Sequence, residues 1–190
     1  LRPDCHFTDS EAKLLDLCMI LHAEHGGGNN STFTTRVLSS SGTDTYSAIS
    51  AAIGSLKGPR HGGANIKVKH MMDELLANIK DLTDEEEIAD DLGKIITKYA
   101  KKLSAEKGMT DIYEFYKRVE KLVPSVFENV KGSKKVICAN VDFYSGFVYD
   151  MLGIESDLFT PLFAVSRIAG WCAHRIEEIT YGGRIIRPAY

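Results

Sequence analysis

The stretch Thr8-Asp9-Ser10-Glu11-Ala12-Lys13-Leu14-Leu15-Asp16-Leu17-Cys18-Met19-Ile20-Leu21 opens with a threonine followed three residues later by a glutamate, the pattern of a capping box. Leu14, Leu15, Leu17, Cys18 and Leu21 then recur on one face of a helix, which the sequence carries as far as the glycines Gly26-Gly27-Gly28. The same period returns along the chain. Ser31 to Ser40 and Asp44 to Lys57 combine alanines and serines with spaced aliphatics, including Ala48, Ile49, Ala51, Ala52 and Ile53, and so predict closely packed interior helices stopped by Gly58-Pro59. Ile66 to Ile79 carries Val68, Met71, Met72, Leu75, Leu76 and Ile79 on one stripe. Thr83-Asp84-Glu85-Glu86 is a second capping box, and the acidic run Asp84 to Asp91 reads as a solvated helix start. Tyr99 to Lys107 and Asp111 to Val130 are amphipathic, with Pro124 a point of kinking or division. Val141 to Leu152 and Asp157 to Ile179 add two more helices, and only Arg184 to Tyr190 looks extended. These periods predict an all-α fold.

Composition narrows the function. The chain's 190 residues suffice for one sizeable core or two small ones. Hydrophobic content of 44% and charged content of 26% are those of a globular protein, and a net charge of -3 argues against a general nucleic-acid or membrane-surface binder. No apolar run reaches a membrane span and no basic-then-apolar leader opens the sequence, so a cytoplasmic location is expected. The four cysteines, Cys5, Cys18, Cys138 and Cys172, have no paired spacing and read as reduced and mostly buried, with no metal site.

Two segments carry the residues of proton chemistry. In Gly58-Pro59-Arg60-His61-Gly62-Gly63-Ala64-Asn65 the glycines bring backbone close to an imidazole set just before a helix, whose free amides favour its neutral form; a polar turn residue is the plainer reading of His61. In Asn140-Val141-Asp142-Phe143-Tyr144-Ser145-Gly146 a carboxylate enters an apolar helix, where desolvation raises basicity; Asp142 is alternatively a simple N-cap. His25, in His22-Ala23-Glu24-His25-Gly26-Gly27-Gly28-Asn29-Asn30, is either a helix-end cap or part of a site, and its spacing is not that of a zinc protease. Arg167 lies in an apolar helix, where its guanidinium needs a carboxylate partner from the protein or a substrate. Arg187 sits on the extended tail, with the planar fork that suits carboxylate capture. Trp171, His174 and His70 read as core or helix-surface residues.

Taken in order, HAEHGGGNNST, GPRHGGAN, NVDFYSGF, RIAGWCAHRIEE and IIRPAY resemble the citrate synthase family over nearly the whole chain. The resemblance implies a multi-helical homodimer, with residues 1–62 and 153–190 belonging to a large domain and 63–152 forming a small one. It implies a transferase of the tricarboxylic acid cycle that condenses acetyl-CoA with oxaloacetate, acetyl-CoA being a co-substrate and no cofactor being permanently bound. By the same likeness Asp142 is the base that takes the methyl proton and His61 bonds the thioester oxygen. His25, Arg167 and Arg187 match oxaloacetate-binding positions, Arg187 serving the partner subunit. Two departures stand out. The family's GHxVY...DPR segment is missing where Ile95-Ile96-Thr97-Lys98 runs into Tyr99-Ala100-Lys101-Lys102, and about half of a usual citrate synthase precedes this region. The chain by itself is therefore expected to be inactive. A 2-methylcitrate synthase using propionyl-CoA, and a non-catalytic helical dimerisation module, are the alternatives.

Overall fold

The computed structural model describes residues 4–58, 60–78, 108–131 and 138–187. Among them every regular element is helical: α1 (Asp9–His22), α2 (Asn30–Ser40), α3 (Thr45–Lys57), α4 (Ala64–Asn78), α5 (Thr110–Lys131), α6 (Val141–Met151), a 3-10 turn (Ser156–Leu158) and α7 (Phe159–Tyr181). The all-α expectation holds. The predicted helices at Thr83 and over Tyr99 to Lys107, and the junction where GHxVY...DPR is missing, lie outside the described residues. No helix among the described residues is long and apolar enough to cross a membrane.

The ends follow local chemistry. Thr8 N–H donates to Glu11 Oε2 at 2.7 Å and Glu11 N–H to Thr8 Oγ1 at 3.2 Å, so the capping box forms as read. Asp44 caps α3 by accepting from Ser47 N–H at 3.0 Å. The first helix, however, ends at His22 and not at Gly26. The reason is tertiary: the His22 carbonyl accepts from the Arg167 Nε–H at 2.5 Å, and the following turn is taken up by contacts with α7. α5 runs unbroken through Pro124. Two of the four cysteines depart from the expected burial, because Cys5 and Cys138 lie exposed in non-helical lead-ins to α1 and α6. Cys18 is buried, and burial pushes its thiol up to about 12, so it stays protonated.

The chain divides into two compact units, Leu1–Cys18 with Asn65–Ser156 and Met19–Ala64 with Asp157–Tyr190. In the first, the core is aromatic. Tyr116 of α5 lies 4.8 Å from Phe147 and 5.5 Å from Phe143 of α6, ring centre to ring centre, and the Tyr144 hydroxyl donates to Glu120 at 2.6 Å. Burial and that carboxylate together push the Tyr144 phenol well above its ordinary range, which keeps it a donor. α6 meets α4 where Gly146 leaves only 3.0 Å between an added Cβ and the Asn65 carbonyl.

In the second unit α2 and α3 pack side by side and α7 lies against both. Ala52, Leu56, Phe163 and Trp171 form the buried centre, edged by Ile49 and Ala164; the small residues of α3 let α7 approach, as their composition predicts. Arg175 is buried on α7 and donates to Ser39 Oγ (3.1 Å), Thr45 Oγ1 (3.0 Å) and the Thr43 carbonyl (2.7 Å), pinning the α2–α3 turn. Replacing it with methionine keeps the apolar stem and strands those acceptors. Arg175→Met is expected to lower stability by about 2 to 4 kcal/mol, read as a shift in the urea midpoint at unchanged slope.

Candidate active site

His61 stands in the turn between α3 and α4, and that turn is held where no side chain fits. Its amide and that of Gly62 both bond the Gly58 carbonyl, at 2.9 and 3.2 Å. A Cβ built on Gly62 would fall 2.2 Å from the Leu56 carbonyl oxygen and 3.0 Å from the Thr160 methyl, while Thr160 Oγ1 donates to the Gly62 carbonyl at 2.9 Å. Glycine is required there by space. Its neighbour's ring is consequently fixed between the end of α3 and the start of α7.

The imidazole's own partner is Ser31, in the first turn of α2. Ser31 N–H donates to His61 Nε2 at 3.3 Å, and Ser31 Oγ lies 3.0 Å from the same nitrogen. A backbone amide can only donate, so Nε2 is an acceptor and the ring of the neutral imidazole carries its proton on Nδ1. The sequence led us to expect a helix N-terminus to keep this histidine neutral. The helix whose first turn bonds the ring is α2 rather than the one that follows His61. Ser31 Oγ also accepts from Trp171 Nε1–H at 3.2 Å and donates to Asn29 Oδ1 at 2.9 Å. Trp171 is fully buried as read from sequence, yet it also steadies the serine. Ser31 itself was missed. Its only signal was a position six residues beyond His25.

Arg167 is 1% exposed, and two of its contacts come from the end of α1 and from its own helix. Its Nε bonds the His22 carbonyl, and its guanidinium carbon lies 4.6 Å over the ring of Phe163, one turn back on α7. His22, also buried, sets its ring edge-on to Phe163 with centres 4.7 Å apart. The plane of the guanidinium is thus fixed from an edge and a face. His25 lies exposed in the loop that follows α1, and Arg187 lies exposed in the non-helical stretch after α7, where the neighbouring Ile186 N–H bonds Ser40 Oγ at 3.0 Å.

That loop is braced by α7. Glu24 Oε1 accepts from Gly26 N–H at 2.6 Å and lies 3.1 Å from His174 Nε2. Burial pushes the Glu24 carboxyl up, but the bonds from His174 and the Gly26 amide outweigh it and hold the group below the usual carboxylate range. Gly26 takes φ +87°, a conformation glycine adopts without strain. His174 was expected to be a bystander; its partner lies far away in sequence, so spacing gave no sign of it.

Asp142 belongs to the other unit. It is the second residue of α6, partly buried, with its N–H bonded to Asn140 Oδ1 at 3.0 Å. Asn140 therefore takes the cap position, and the simple N-cap reading of Asp142 falls away. Within the second unit the structure shows His61 bonded at the first turn of α2 and Arg167 bonded to the end of α1, the two helix ends joined by the loop of His25. Such an arrangement supplies a neutral imidazole donor and an oriented guanidinium.

The family model for citrate synthase, C-terminal domain, matches residues 4–189. A citrate synthase of Deinococcus radiodurans is 38% identical over 198 residues, covering 95% of the chain and 51% of that protein. A 2-methylcitrate synthase of Corynebacterium glutamicum is 38% identical over 192 residues, covering 90% and 46%. A solved citrate synthase from Thermoplasma acidophilum, a ternary complex with carboxymethyl coenzyme A and oxaloacetate, superposes with a TM-score of 0.76 at 32% identity, covering 96% of this chain and 52% of that one. The chain spans about half the length of the relatives it matches.

Two outcomes follow from the His61 geometry. Nitrogen-15 spectra of the labelled imidazole are expected to show Nδ1 protonated and Nε2 bare near neutral pH; the opposite tautomer contradicts the Ser31 bond. Gly62→Ala is expected to cost about 2 kcal/mol or more of stability by overpacking against the Leu56 carbonyl, seen as a lowered melting temperature.

Proposed function

The chain belongs to the citrate synthase family, and from that premise we propose that the protein carrying it condenses acetyl-CoA with oxaloacetate, releasing citrate and CoA. The observation that carries this reading is the bond from Ser31 N–H to His61 Nε2, because it turns the Nδ1–H of a neutral imidazole into a donor. A thioester carbonyl that accepts this proton bond becomes a better electron sink, and its methyl protons become more acidic. Asp142 is the carboxylate we assign to remove one of them. The electron pair of the broken C–H bond moves to the carbonyl oxygen, giving an enol or enolate, whose carbon then attacks the oxaloacetate ketone. Water cleaves the resulting citryl thioester, and the thiolate of CoA leaves with a proton.

Oxaloacetate carries two carboxylates, for which we assign Arg167, Arg187 and His25. Support comes from the fixed guanidinium plane of Arg167 and from the exposure of Arg187 and His25. We read Arg187 as completing the site of a second protomer in a homodimer, residues 63–152 as the small domain, and the setting as cytoplasmic. A second reading, a 2-methylcitrate synthase, is favoured by the 38% identity to such an enzyme, equal to that of the first citrate synthase reported above. The two differ by one methylene on the acyl chain, a difference worth about 1 to 3 kcal/mol in a hydrophobic pocket.

The test is release of CoA thiol from oxaloacetate with acetyl-CoA or propionyl-CoA. The full-length protein is expected to turn over acetyl-CoA with the higher kcat/KM, and the chain by itself to be inactive; preference for propionyl-CoA establishes the second reading, and no release with either thioester refutes both. In the full-length protein Asp142→Asn is expected to lower kcat by on the order of 10² to 10⁴ while oxaloacetate still binds, the signature of a lost general base. Arg167→Ala is expected to raise the oxaloacetate KM on the order of a hundredfold.

A further inference from the structure

One face of α7 grips the loop that carries His25 at three successive turns. At Gly170 an added Cβ would fall 2.2 Å from the Ala23 carbonyl oxygen and 2.5 Å from Glu24 Oε2, so the loop's backbone lies directly against the helix. One turn on, His174 Nε2 approaches Glu24 Oε1 at 3.1 Å, and its Nδ1 is 3.5 Å from Glu177. A further turn on, Glu178 pairs with Arg36 Nε at 3.4 Å, and Arg36 Nη1 together with His174 Cε1 bounds the space over Gly27, at 3.2 and 3.5 Å from a built Cβ. Residues 170, 174 and 178 recur at the spacing of one helix face.

We propose that His174 is a positioning residue for oxaloacetate, acting through Glu24 to set the backbone around His25; this rests on the function proposed above. Glu24 Oε1 receives the Gly26 amide from one side and the His174 imidazole from the other. Gly26 N–H and Glu24 lie on either side of His25, so the carboxylate closes a short turn over that residue. The imidazole fixes where the carboxylate sits. His174 is only 18% exposed at its side chain, whereas Glu24 is 45% exposed, so the better-buried partner is the anchor. Without it the turn keeps its Gly26 bond and the backbone contact at Gly170 but loses the side-chain bond that ties Glu24 to α7, and His25 is presented to the substrate over a wider range of positions. His61 is bonded to Ser31 in α2, whereas the brace holds the loop of His25. The effect therefore falls on the binding of oxaloacetate and not on the acyl-CoA step.

The experiment compares His174→Ala and His174→Gln with the wild type in the full-length protein, with KM for both substrates, kcat and the melting temperature measured for each. A glutamine's amide nitrogen takes the place of Nε2, so it can still donate to Glu24. The alanine variant is expected to raise the oxaloacetate KM on the order of tenfold, the scale of one charge-assisted hydrogen bond. The acetyl-CoA KM and kcat should stay within about threefold, and glutamine should recover most of the loss. An unchanged oxaloacetate KM in the alanine variant overturns the proposal. So does a parallel decline of every parameter with the melting temperature in both variants, which marks a merely structural role. Absence of turnover in the wild type refutes the functional reading itself and the positioning role with it, whereas an active wild type with an unaffected variant refutes the positioning role alone.

Discussion

The polar bonds that α7 makes to the α1–α3 region are the constraint on which the second unit depends. Arg167, Trp171 and Arg175 follow one another at one-turn intervals and reach, in that order, the last carbonyl of α1, the first turn of α2 and the α2–α3 turn. All three are buried, so each polar head must find a partner or pay the full cost of lost hydration. Satisfying them fixes where three helix ends lie. An apolar α7 would bury as much surface yet leave the register of those ends open, because dispersion and hydrophobic contact carry little direction. The beginning and end of α2 are thereby specified by an indole and a guanidinium on another helix.

Ser31 shows how such a bond becomes chemistry. Its hydroxyl has a single proton, with Asn29 Oδ1 and His61 Nε2 both within reach to accept it, and its lone pairs take the Trp171 N–H. Its amide is one of the donors left over at the start of α2, and it is spent on His61 Nε2. The tautomer of the imidazole is therefore set by the position of a helix end, and that position is set by α7. Gly62 contributes from the other side, since any larger residue would drive the turn off the Leu56 carbonyl.

Local rules made most of the helices legible. The Thr8–Glu11 box and the helix read over Val141 to Leu152 each depend on residues within a turn or two; the box is found as read and the helix runs to Met151. What stayed hidden depends on pairs far apart in the chain. The end of α1 was placed too late because nothing between His22 and Gly26 reveals that Arg167, 145 residues on, takes the His22 carbonyl. For the same reason nothing in the sequence signals that the His22 carbonyl and the Phe163 ring help to hold the buried arginine. Among site residues, His61 and Asp142 announced themselves through unusual neighbours, whereas Ser31 and His174 are ordinary residues in ordinary helical patterns. Their importance lies in what tertiary packing sets against them.

The glycines illustrate the limit from another direction. Gly26, after His25, takes a positive φ that glycine adopts without strain. Gly62 and Gly170 are needed for a different reason, since at each a Cβ would lie 2.2 Å from a carbonyl oxygen of another segment. Each such contact brings a backbone flush against a helix or its end, and in each case the backbone so placed leads within a few residues to a histidine of the site: Gly62 stands beside His61, and Gly170 holds the Ala23 carbonyl two residues before His25. Close packing of the main chain here precedes and determines the placing of the side chains. A glycine at either position is thus as much a part of the site's geometry as the imidazole it helps to set.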